Sequence, residues 1–138
     1  MAKTNRLRHL KQKYDEGCGP TCVAMVAGVS EEDVIRAVFG KDYDDDGTFW
    51  WPDVRMALRK LSVRCAPQAT KIRYWHNIKH LSIVGCWEHY VVYDPATRLV
   101  YDPLRDGPSL RSRLKPLSSL AIYGGCALAR QPRASSVK

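Results

Sequence analysis

A chain of 138 residues, 45% of them hydrophobic, carries enough apolar material for one domain with one core, which excludes wholesale disorder. Its 22 Lys and Arg against 14 Asp and Glu give a formal charge of +8, a balance that attracts polyanions or acidic partners. No apolar run approaches the roughly 20 residues of a membrane helix, and residues 1–13 are basic and polar with no apolar signal centre. A cytoplasmic protein is expected, with signal-independent export left open.

In chain order, residues 1–12 read as a basic arm. Residues 18–27 (Cys-Gly-Pro-Thr-Cys-Val-Ala-Met-Val-Ala) read as a short helix, apolar nearly all round, with Pro20 in its first turn and Gly28 ending it. A helix without a polar face belongs inside a core. Ser30 caps a second helix whose first turn holds Glu31, Glu32 and Asp33, and Gly40 closes it. Residues 42–47 form an acidic loop without the closing Glu of a calcium site.

Pro52 opens a third helix, with Val54, Ala57, Leu58 and Leu61 on one face. Short β-type runs follow at 63–66, 72–75, 81–86, 89–93, 98–102 and 120–128, and 131–138 read as a flexible basic tail. Helices first and antiparallel strands second describe an α+β fold, here a single domain over 1–130.

Five cysteines are an odd number, and without a secretory signal they are expected reduced. Cys18 stands at a helix N-terminus between Gly17 and Gly19, where partial positive charge favours a thiolate and bare backbone admits another chain. Local sequence alone leaves a nucleophile and a buried structural cysteine equally open. Cys22, one turn inside the helix, lacks free backbone N–H groups and reads as core. A zinc site would need Cys18 and Cys22 to recruit His76 and His80, or Cys86 and His89, but no Cys-x-x-Cys pair supports one.

Of four histidines, His9 lies in the basic arm and His76 and His80 in a polar connection. His89 opens a strand that runs into Asp94-Pro95-Ala96-Thr97, a type I turn sequence. Symmetric pairing about that turn sets Tyr93 against Arg98, Val92 against Leu99, Val91 against Val100 and Tyr90 against Tyr101, with His89 facing Asp102. Tyr90, Val92, Leu99 and Tyr101 then share one face, and Asp102 reaches the imidazole at Nδ1, leaving Nε2 for a thiol. Asp94, at the far end of the hairpin, is excluded as the orienting acid.

Gln12-Lys-Tyr-Asp-Glu-Gly-Cys18-Gly19 resembles the active-site signature of papain-fold cysteine peptidases, with a Gln six residues before the nucleophile. The longer stretch through Cys-Gly-Pro-Thr-Cys to Met25 looks like the C39 and C39-like branch. His89-Tyr-Val-Val and Asp102-Pro103 resemble its second and third motifs. The resemblance spans roughly 12–103 and implies a papain-like fold, N-terminal helices carrying the nucleophile against a C-terminal antiparallel sheet. It implies a Cys18–His89–Asp102 triad with Gln12 in the oxyanion hole, a peptide or isopeptide bond in a protein or peptide substrate, and no metal or organic cofactor.

The same scaffold supports acyl transfer and deamidation, and a degenerate copy binds without turnover. A basic nucleic-acid-associated protein is the other class; no run of aromatics alternating with Arg marks a stacking platform, so nucleic acid is not the expected partner. Trp50, Trp51, Trp75 and Trp87 are candidates for a substrate groove or for aromatic core.

Overall fold

Ten consecutive residues with almost no polar side chain form a stable helix in water only if other elements enclose them, and the first helix is enclosed in this way. The computed structural model describes residues 7–13, 17–40, 49–110 and 113–125. Helix α1 (Cys18–Ala27) buries every residue after Cys18, packing on the sheet on one side and on two helices on the other. These are α2 (Glu31–Phe39) and α3 (Trp51–Lys60). Gly28 ends α1 in the left-handed conformation, its N–H donating to the Ala24 carbonyl. At α2 the Ser30 hydroxyl accepts the Asp33 N–H at 3.1 Å and the Asp33 carboxylate takes the Ser30 N–H, a capping box.

The sheet comprises β1 (Arg64–Cys65), β2 (Thr70–Lys71), β3 (Ser82–Cys86), β4 (His89–Asp94), β5 (Leu99–Tyr101) and β6 (Ser118–Gly124). It is antiparallel, in the order β1-β6-β3-β4-β5, with β2 also paired to β6. The fold is therefore α+β. Alternation along the strands sends Ile83, Tyr90, Val92, Tyr101 and Leu120 into the helix-side core, and Val84, Val91, Tyr93 and Val100 into a smaller cluster on the other face.

Three expectations are corrected. The run 72–75 is not a strand: β2 comes just before it, and the chain then turns through a 3-10 segment, Trp75–Asn77. The Asn77 carboxamide accepts the Tyr74 N–H at 3.2 Å while the Asn77 N–H donates to the Tyr74 carbonyl, so a local turn outcompetes the sheet. Residues 7–12, read as part of a basic arm, belong to the packed fold: Leu7 is 4% exposed in the core and His9 stacks on Tyr101. The β4–β5 register is also displaced: Val92 pairs with Tyr101, Tyr93 with Val100 and Asp94 with Leu99.

The cause of that displacement is a turn shifted by one residue. Arg98 adopts φ 63, and its N–H reaches the Asp94 carbonyl at 2.7 Å, so residues 95–98 separate the paired strands instead of 94–97. The Asp94 carboxylate holds this turn by accepting the Ala96 N–H and the Thr97 hydroxyl. An offset of two preserves the faces, which is why Tyr90, Val92, Leu99 and Tyr101 still lie together. The acidic loop at 42–47, the tail at 131–138 and the end of the run 120–128 lie outside the described residues.

Close packing at the start of α1 requires a glycine. A Cβ on Gly19 would lie 2.7 Å from the Phe49 Cβ, inside van der Waals contact. Gly19→Ala should destabilise the fold by about 1–3 kcal/mol through overpacking, read as a lowered denaturant midpoint with an unchanged slope. An unaltered midpoint would mean that Phe49 does not press on this helix.

Candidate active site

Gly17 caps α1 without a side chain and no acid occupies its first turn, so the Cys18 sulfur emerges at the positive end of the helix dipole. Helix α1 packs on β4, whose first residue is His89. The tight Trp87–Glu88 turn, with Glu88 at φ 53, pairs His89 with Cys86 and places the imidazole at the sheet end facing the helix terminus.

Asp102 follows β5 directly. Its Oδ1 accepts the Leu104 N–H at 3.0 Å, and its carbonyl accepts the Arg105 N–H at 2.9 Å, so a tight turn fixes the carboxylate. The same Oδ1 lies 2.7 Å from His89 Nε2. Expectation and structure agree on the partners and differ on the atom, since Nδ1 was the nitrogen expected. In the displaced register Asp102 is not opposite His89 but diagonal to it. The diagonal separation, about 7–8 Å between the residues, suits the farther ring nitrogen.

Each ring nitrogen has one in-plane bonding direction, so Nδ1 is left for the thiol of Cys18, which hydrogen-bonds the same imidazole. Burial alone would lower the His89 pKa; hydrogen bonds to Asp102 and Cys18, with their charges, outweigh it and raise the pKa to about 9. Burial pushes the Asp102 carboxyl the other way, upward, but the bonds from His89 and from the Leu104 N–H prevail and hold it below the usual range. The two partners thus agree: the arrangement favours an imidazolium beside a carboxylate.

The remaining described thiols are unsuited to attack. Burial raises Cys22 well above an ordinary thiol, and burial with the neighbouring Asp102 charge pushes Cys86 up to about 12. Cys65 is raised by burial as well. Cys126 lies outside the described residues. Among the described residues no three His, Cys, Asp or Glu side chains converge as a metal site, and no helix is long and apolar enough to cross a membrane.

Gln12 joins Cys18 and His89 in one cleft of about 650 Å³. Its backbone N–H donates to the Pro103 carbonyl at 2.9 Å, which ties the arm to the turn that carries Asp102. Sequence reasoning missed the second tether. Glu31, read only as a first-turn acid, is 5% exposed and its Oε1 accepts the Lys13 N–H at 2.9 Å. Lys13 also pairs through its ammonium with Glu32. The residue next to Gln12 is thereby clamped to α2. The signal available in the sequence was an acid at a helix start beside a neighbouring basic arm, too common a pattern to single out.

Trp50 and Trp51 line the cleft, Trp51 edge-on to Tyr90 at 4.9 Å between ring centres. Gly85 admits that indole, since a Cβ there would meet Trp51 at 3.0 Å. Trp75 packs against Tyr93 outside the cleft, and Trp87 projects into solvent. His76 and His80 lie away from Cys18: His76 lines a separate groove and His80 packs edge-on against Tyr123. No model of a known protein family and no curated protein matches the chain.

Proposed function

We propose that the chain is a papain-like cysteine peptidase of the C39-like kind, hydrolysing a peptide or isopeptide bond in a protein or peptide substrate. The observation that carries this reading is one imidazole whose Nε2 lies 2.7 Å from a fixed carboxylate, in the same cleft as a thiol at a helix N-terminus whose charge it feels. Asp102 holds the Nε2–H tautomer, so Nδ1 takes the Cys18 proton and the resulting thiolate–imidazolium pair is steadied from both sides. The thiolate attacks the substrate carbonyl. Gln12 and the Cys18 N–H donate to the developing oxyanion, a contribution of about 3–4 kcal/mol for a single donor. The imidazolium protonates the leaving amine, and water, deprotonated by the neutral imidazole, releases the acyl group.

Order of thiol labelling tests the assignment. Limiting iodoacetamide near neutral pH should alkylate Cys18 ahead of Cys22, Cys65, Cys86 and Cys126, read by peptide mass spectrometry, and Cys18→Ala should abolish hydrolysis of p-nitrophenyl acetate. Earlier modification of Cys65 or Cys126 in the folded protein would overturn Cys18 as nucleophile.

A further inference from the structure

All three helices cover one face of the sheet, whereas the cluster on the other face draws no residue from any α-helix. On that side, where the 72–78 segment and Leu114 pack over the sheet, a groove of about 820 Å³ runs between the 74–81 segment and the β4–β5 turn. Tyr74 and His76 lie along it with rings parallel to within 6° and centres 5.3 Å apart, and Tyr74 is 53% exposed. Lys79 and Arg98 flank them with exposed side chains. Among the described residues the lining holds one acid, Asp94, which is buried with its oxygens engaged by Ala96 and Thr97.

The aromatic surface continues beyond the groove. His80 packs edge-on against Tyr123, which is 55% exposed and lines a neighbouring groove with Arg55 and Arg59. Along the chain after α3, residues 61–87 carry four Lys and Arg and no Asp or Glu. The positive balance is therefore not confined to the two ends of the chain.

We propose that this face binds single-stranded nucleic acid, its bases stacking on Tyr74, His76 and Tyr123 and its phosphates meeting Lys79 and Arg98. Flat exposed rings between cations fit unpaired bases, which offer a π-face whatever their sequence. An acidic peptide would use the cations and leave the rings idle. An anionic membrane would call for a protruding apolar rim, and among the described residues the groove's one exposed aliphatic side chain is Leu110. None of these side chains lines the cleft that holds Cys18, so the inference does not depend on peptidase activity.

The test is fluorescence anisotropy of a fluorescein-labelled 12-nucleotide oligothymidylate with the full chain. Two phosphate contacts predict about a 7-fold loss of affinity between 50 and 200 mM NaCl. Tyr74→Ala should weaken binding about tenfold, and Lys79→Glu with Arg98→Glu should weaken it further, with Cys18 alkylation at the wild-type rate in both variants. Polyglutamate and phosphatidylserine vesicles at matched charge should displace the oligonucleotide poorly. Absence of binding at 50 mM NaCl, or unchanged affinity in both variants, overturns the proposal. Displacement by polyglutamate or by vesicles as effective as by unlabelled oligothymidylate overturns it in favour of an acidic protein or a membrane surface.

Discussion

Asp102→Asn should bring the His89 titration midpoint down from about 9 toward its ordinary value near 6.5, followed by NMR of the ring protons. The substitution separates two roles of the carboxylate. Asp102 Oδ1 accepts from both His89 Nε2 and the Leu104 N–H, so a carboxamide oxygen can occupy its place and keep the proton on Nε2. The negative charge is what disappears. Asp102→Ala removes both roles and should lower p-nitrophenyl acetate turnover by about 10²- to 10⁴-fold. A His89 midpoint unchanged in Asp102→Asn would show that the carboxylate does not sustain the imidazolium.

The same pair has a consequence for stability. A folded-state pKa raised above the unfolded value means that the His89 interaction contributes fully below about pH 6.5 and is lost as pH climbs toward 9. The imidazolium that the thiolate needs therefore persists across neutral pH. It fails only on the alkaline side.

What was legible in the sequence follows from how local each signal is. Caps and stops at Ser30, Gly28 and Gly40 act within one turn, and the structure has these helix ends as read. The faces of the β4–β5 hairpin were legible because alternation survives any even change of register. Its register was not, since that depended on Arg98 entering the left-handed region, which an arginine does only when a turn such as the one Asp94 holds compels it. The ring nitrogen chosen by Asp102 inherited that error. Gln12, Cys18, His89 and Asp102 are brought together by the fold as named, but the clamp on Gln12 was hidden: it joins Lys13 to Glu31 and Gln12 to Pro103, contacts set by tertiary packing.

That clamp makes the last expectation the most discriminating. Gln12→Ala should reduce p-nitrophenyl acetate turnover by about 10²- to 10³-fold while leaving the iodoacetamide alkylation rate of Cys18 unchanged. Alkylation displaces iodide directly and passes through no oxyanion, so it reads the thiolate alone. Glu31→Ala removes the buried acceptor of the Lys13 N–H and should lower turnover in the same manner, because the segment that carries Gln12 then loses one of its tethers. Glu31→Gln keeps an acceptor oxygen and should recover most of the loss. If Glu31 acts through Gln12, adding Glu31→Ala to Gln12→Ala should cost little further, since coupled residues are not additive. Full additivity would assign Glu31 a purely structural role, and an unaffected Gln12→Ala enzyme would remove Gln12 from the oxyanion hole while leaving Cys18 and His89 in place.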